Sequence, residues 1–101
     1  MKVQYLKTDD STTILVEDDR IDIQNADQLR EILLDQVYSG NTELLVDLQK
    51  VDFIDSSGLG ALVYGLREAR RYNGSIGVSG LSGHVSSMFS ITGLNKIFEI
   101  L

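Results

Sequence analysis

The sequence predicts a single-domain α/β fold with a mixed, mostly parallel β-sheet flanked by α-helices. Three observations predict it. From Leu44 onward, short apolar runs alternate with stretches whose apolar residues recur at steps of three and four, giving the order strand, helix, strand, helix, strand. Such an order implies parallel strands joined by right-handed crossovers. Ahead of it, two short apolar runs flank Thr8-Asp9-Asp10-Ser11 and read as an antiparallel hairpin, which makes the sheet mixed. At 101 residues there is chain enough for one hydrophobic core and not for two.

Taken in order, Val3-Gln4-Tyr5-Leu6-Lys7 alternates and predicts a half-buried strand. Thr8-Asp9-Asp10-Ser11 is turn chemistry, and Thr12-Thr13-Ile14-Leu15-Val16 is the returning strand. Asp18-Asp19 breaks the pattern before a short extended piece, Arg20-Ile21-Asp22-Ile23. Asn25 then caps a helix, with Gln28 three residues later as in a capping box. Leu29, Ile32, Leu33 and Val37 form the buried stripe of that helix, and Gly40 is its stop. Leu44-Leu45-Val46-Asp47-Leu48 is a compact apolar strand, expected at the centre of the sheet. A second helix carries Leu59, Leu62, Val63, Leu66 and Ala69 on one face. Arg67, Arg70 and Arg71 lie in its last turns, where cations suit the helix dipole, and Asn73-Gly74 ends it. Ser75-Ile76-Gly77-Val78-Ser79 is the next strand. A third helix turns Val85, Met88 and Phe89 inward and stops at Gly93, with Leu94 placed for the apolar contact that accompanies such stops. Ile97-Phe98-Glu99-Ile100 is a last short strand or extended end.

The rest of the chain is organised around the stretch from Val51 to Leu62. An apolar, extended run ends at Asp55 and the helical period starts at Leu59, so Asp55-Ser56-Ser57 is the turn that opens the second helix. Open α/β sheets place their ligand sites at the carboxyl ends of strands, where this turn is expected. Two readings of it stand side by side. Asp and Ser oxygens accept bonds from the free N–H groups of a first helical turn, so one serine serves as the N-cap. Alternatively, two exposed hydroxyls stand where negative charge is favoured, and a phosphate there would meet backbone donors and the positive end of the dipole.

Other chemistries fit the residues less well. Gly58-Leu59-Gly60 invites a nucleotide loop, but Val63 stands where the fingerprint wants glycine or alanine, and there is no Lys-Ser or Lys-Thr pair. Gly58, Ala61 and Gly65 lie along one side of the helix and suit close packing against the sheet or another protein. Asp55 as a phospho-acceptor of the receiver type lacks an acidic pair after an early strand, because Asp9-Asp10 precedes its strand. Ser56 with His84 is not a triad, the Gly-x-Ser-x-Gly elbow is absent, and His84 reads as a surface residue early in the third helix. With no cysteine and one histidine, no thiolate site, no multi-histidine metal site and no cofactor is expected. The net charge of −6 disfavours nucleic acid and anionic membrane surfaces and suits a protein partner with a basic patch. The N-terminus lacks the apolar core of a signal peptide and no apolar run is long enough to cross a membrane, so the expectation is a soluble, cytoplasmic protein.

Asp55-Ser56-Ser57-Gly58-Leu59-Gly60 resembles the signature of the anti-sigma factor antagonists, the bacterial members of the STAS domain family. The likeness covers nearly the whole chain. Arg20-Ile21-Asp22 is similar to the family's early Gly-x-Leu/Ile-Asp element, with Arg20 in place of the glycine. Leu44–Leu48 followed by Val51–Asp55 resembles the central strand and its exit, and Thr92-Gly93-Leu94-Asn95-Lys96-Ile97-Phe98 resembles the family's ending. Gly83 stands where the family often has proline, and Leu101 ends the sequence where members often continue into a further helix.

The resemblance implies one STAS domain over residues 1–101, without catalytic activity of its own. It implies that Ser56 is phosphorylated by an anti-sigma factor that is also a serine kinase, and that a serine phosphatase restores the active form. Unphosphorylated protein would bind the anti-sigma factor and release a sigma factor, regulating transcription by partner switching. The implied contact residues are Asp22, Asp55, Ser56, Ser57, Gly58, Leu59 and Gly60. STAS domains also serve as scaffolds in signalling assemblies and beside membrane transporters, which is the alternative role.

Overall fold

The computed structural model describes all residues from Met1 to Leu101. In chain order the elements are β1 (Val3–Lys7), β2 (Thr12–Val16), β3 (Arg20–Ile21), α1 (Ala26–Tyr38), β4 (Glu43–Asp47) and β5 (Phe53–Ile54). They continue with α2 (Ser56–Arg71), β6 (Ser75–Ser79), α3 (Gly83–Thr92), a 3₁₀ turn over Leu94–Lys96, and β7 (Glu99–Ile100). β1 and β2 form the antiparallel hairpin, with Val3 opposite Val16 and Lys7 opposite Thr12. β2 pairs in parallel with β4, β4 with β6, and β6 with β7, so the strand order is β1-β2-β4-β6-β7 with β4 at the centre.

Alternation along the strands decides what the sheet buries. Ile14 and Val16 of β2, Leu44 and Val46 of β4, and Ile76 and Val78 of β6 all turn to one face and are buried. Leu29, Leu33 and Val37 of α1 meet them there, as do Leu59, Leu62, Leu66 and Ala69 of α2. Each fully buried Val, Leu or Ile side chain among them contributes about 1.5–3 kcal/mol. α3 closes one end, with Phe89 edge-to-face on Phe98 at 5.7 Å. The alternate residues Thr13, Leu15, Leu45, Gly77 and Ser79 lie on the other face and stay only half-buried, because no helix covers it.

Four local expectations are corrected. β1 is not half-buried: Val3 alone is partly covered, and Tyr5 and Leu6 are 52% and 67% exposed. The strand is an edge, and the helices packed under β2, β4 and β6 leave it uncovered. The extended piece after Asp19 is a strand only over Arg20–Ile21, because Asp22 starts the turn into α1 and its carbonyl accepts the N–H groups of Asn25 and Ala26. Asn25 precedes α1 but makes no capping bond, and no capping box forms. Its Oδ1 accepts the Asp22 N–H at 2.9 Å, its Nδ2 donates to the Arg20 carbonyl at 2.8 Å, and the Gln28 side chain accepts from the Met1 amino group. Finally, the strand before Asp55 is not in the main sheet. β5 pairs in parallel with β3 in a separate two-stranded sheet, with Ile21 opposite Ile54.

Candidate functional site at the start of helix α2

The small β3–β5 sheet delivers the Asp55-Ser56-Ser57 turn. Asp55 is extended, at φ −105° and ψ −176°, and Ser56 is already helical. The Asp55 Oδ1 accepts the Gly58 N–H at 3.1 Å. The N-cap is therefore Asp55 and not a serine, since a cap must stand extended outside the helix with its oxygen over the third N–H. The second Asp55 oxygen, Oδ2, accepts the Ile23 N–H at 3.2 Å, and the Asp55 N–H donates to the Ile21 carbonyl at 3.1 Å. One residue thus caps α2 and ties it to the loop that follows β3.

Capping by Asp55 leaves Ser56 unoccupied. Ser56 is exposed, and its hydroxyl makes no hydrogen bond within the chain. The backbone N–H groups of Ser56 and Ser57 also lack acceptors, as the first donors of a helix do. An exposed hydroxyl, free N–H donors and the positive end of a sixteen-residue helix meet at one point. Such a point favours negative charge, and no side chain hydrogen-bonds the Ser56 hydroxyl. His84, the one histidine, is exposed as expected but occupied elsewhere. Its ring stacks on Phe53 at 4.8 Å, and its Nε2 lies 3.3 Å from the Ile54 carbonyl, where it donates. The guanidinium of Arg20 also sits 4.3 Å from the Phe53 ring centre, so Arg20 packs against the small sheet.

The remaining candidate residues divide by direction. Gly58 is buried: a Cβ there would lie 2.7 Å from both Ile21 Cγ2 and Ile54 Cγ1, so glycine lets α2 lie against the small sheet. Leu59 is buried in the core, 4% exposed. Gly58 and Leu59 therefore position the surface and do not form it. Gly60 is exposed, and a Cβ on it would meet nothing within 4 Å. Ser57 is half-buried. Asp22 makes no hydrogen bond to Asp55 or Ser56. Its Oδ1 accepts the Gln24 N–H at 3.0 Å and its Oδ2 lies 3.5 Å from Arg20 Nε, so it shapes the neighbouring loop.

The structure adds residues that sequence reasoning passed over. Ile23, held by Asp55, is 77% exposed beside the serines. With Ala26, Arg30, Ser57, Gly60 and Tyr64 it lines a shallow groove between the first turns of α1 and α2. Arg30 lies 5.6 Å from the Tyr64 ring centre. The available signal was spacing: Tyr64 stands four residues after Gly60 and off the apolar stripe.

The family profile described as Mlab, STAS domain, matches residues 4–101. A candidate anti-sigma factor antagonist of Bordetella bronchiseptica, BtrV, is 33% identical over 76 residues, which are 75% of this chain and 66% of that protein. The anti-sigma-B factor antagonist of Staphylococcus aureus is 28% identical over 80 residues, 79% of this chain and 74% of its own. Among solved structures, a candidate anti-sigma factor antagonist from Thermotoga maritima superposes with a TM-score of 0.85 at 24% identity, covering 97% of this chain and 84% of that one.

Proposed function

This chain belongs to the STAS domain family, and from that premise we propose that it is an anti-sigma factor antagonist switched by phosphorylation of Ser56. In this reading residues 1–101 act as one cytoplasmic binding domain. The unphosphorylated domain binds an anti-sigma factor that is also a serine kinase, so that a sigma factor is released. The kinase moves the terminal phosphoryl group of ATP to the Ser56 hydroxyl, and a serine phosphatase removes it. The chain itself supplies no reacting group beyond that hydroxyl. The observation that carries the reading is the free, exposed hydroxyl of Ser56 at the first helical position, with Asp55 doing the capping.

The energetics favour a switch that acts on the complex. A phosphoserine carries about −1.5 to −2 charges at pH 7. The helix dipole favours a negative group there by about 0.3–1 kcal/mol, so the free domain accommodates it. A partner surface packed on a neutral hydroxyl does not. Burying a mismatched charge costs on the order of 2–5 kcal/mol, which is about 30-fold to several thousand-fold in affinity. Asp22, Asp55, Ser57 and Gly60, with Gly58 and Leu59 beneath them, make up the contact region around Ser56 in this reading.

The test is a paired affinity capture from extract of the source cells, with Ser56→Ala and Ser56→Asp as baits and mass spectrometry as the readout. A serine-kinase anti-sigma factor held by Ser56→Ala and lost with Ser56→Asp is the expected outcome. Identical captures from the two baits would leave Ser56 without a switching role.

A further inference from the structure

The outer edge of β1 offers a second interaction surface. Glu17 N–H donates to the Lys2 carbonyl at 2.9 Å and Thr8 N–H to the Ser11 carbonyl at 2.8 Å. With Val3 opposite Val16, these bonds fix the phase of the ladder: Lys2, Gln4, Leu6 and Thr8 direct their backbone groups at β2. The N–H and C=O groups of Val3, Tyr5 and Lys7 therefore point away from the sheet. Only Lys7, at the end of this strand, blunts that edge. The strand has no proline, its pairing with β2 runs without a bulge, and Lys7 is its one charge. Tyr5 and Leu6, on opposite faces, are 52% and 67% exposed.

Charge along the edge is polar. Lys2 stands at one end, with Glu17 opposite it and Asp18 accepting its N–H, and Asp9 and Asp10 stand at the other. We propose that a second copy of this chain pairs with the first, β1 to β1, antiparallel about a two-fold axis at Tyr5, joining the two sheets into one. In that register Tyr5 faces the partner's Tyr5 and Val3 faces the partner's Lys7 as hydrogen-bonded pairs, so every outward backbone group of β1 is satisfied. A register shifted by two residues leaves some of them unpaired. Gln4 lies opposite the partner's Leu6 on the uncovered face. Lys2 lies opposite the partner's Thr8 and next to the partner's Asp9, so each Lys2 meets a carboxylate of the other copy. The two-fold makes the patch self-complementary, as a closed dimer requires.

Sedimentation velocity across a concentration series reads the mass, with a rise from 11.2 kDa toward twice that value expected. Amide hydrogen exchange reads the register. Protection of Val3, Tyr5 and Lys7 should grow with concentration, while that of Gln4 and Leu6 stays constant. Tyr5→Pro removes an outward N–H that β2 does not use, so it should give a folded monomer. Lys2→Glu should weaken the dimer, and Lys2→Glu combined with Asp9→Lys should restore it, which keeps the test open if the proline variant fails to fold. A monomer at every concentration, with fast exchange at Val3, Tyr5 and Lys7, overturns the proposal. So does a dimer that forms while those three amides stay unprotected.

Discussion

Asp55 and Ser56 are neighbours with opposite relations to the fold. Asp55 engages both carboxylate oxygens with backbone N–H groups, one in α2 and one in the loop after β3. Loss of a helix cap alone costs about 0.5–2 kcal/mol. Asp55→Ala is expected to lower the melting temperature by about 4–8 °C per kcal/mol lost, read by circular dichroism. Ser56 makes no bond that a substitution could break. Ser56→Ala should melt within about 0.5 kcal/mol of the parent, as surface changes do. Ser56→Asp should melt at or slightly above it, because the added charge sits at the helix start. A large drop in the Ser56→Asp melting temperature would contradict the place of this serine in α2. The sequence placed a helix cap and two serine hydroxyls in this turn, and its local pattern did not divide the roles among Asp55, Ser56 and Ser57. That division depends on where the helix begins, and the start is set by Asp55 being held extended against Ile21.

Helix α2 carries glycines for different reasons. Gly58 and Gly65 are packing residues: a methyl on Gly65 would lie 2.8 Å from Leu33 Cδ1 of α1 and 3.1 Å from Ile76 Cδ1 of β6. Their spacing with Ala61 was legible in the sequence as a small-residue side, and the contacts supply the reason. Gly60 is different. Nothing in the fold approaches it, yet glycine within a helix costs about 0.8–1 kcal/mol relative to alanine. Gly60→Ala should therefore raise stability by up to about 1 kcal/mol in urea unfolding. Gly58→Ala should lower it, since Ile21 and Ile54 must both move. If Gly60→Ala also weakens capture of the proposed anti-sigma factor partner, the glycine serves close approach by that partner and not the fold.

At the scale of the whole molecule, one buried acid links the far ends of the two long helices. Glu68 of α2 accepts the Tyr38 O–H of α1 at 2.8 Å and Arg71 Nη1 at 3.1 Å. The tyrosine hydrogen bond and then the arginine hold its carboxyl below the usual glutamate range. A carboxylate with a lowered folded-state pKa stabilises the fold above its unfolded value, about 4.3, and loses that contribution as pH falls through the folded value. The stability difference between the parent and Glu68→Gln should be full at pH 7 and shrink below about pH 4.3. A difference that stays constant to acid pH would remove this link. Glu68 three residues before Arg71 was visible in the sequence, but Tyr38 was not, because that partner lies on another helix.

Sequence periodicity by itself determined the element order, the inward faces of α1 and α2, the hairpin, and the parallel run from β4 onward. Those features follow from alternation in strands, three- and four-residue steps in helices, and local stops such as Gly93 at φ +76°. Only the tertiary structure decided that β3 and β5 leave the main sheet, that Asp55 caps α2 and holds Ile23, and that Asn25 turns its side chain to the loop before α1. It also decided that Arg20, Phe53 and His84 stack together. The β3–β5 pairing, the Asp55–Ile23 bond and the packing on Phe53 join groups far apart in the chain, about which local pattern carries no information. Asn25 has neighbouring partners, Asp22 and Arg20, that a capping preference does not rank.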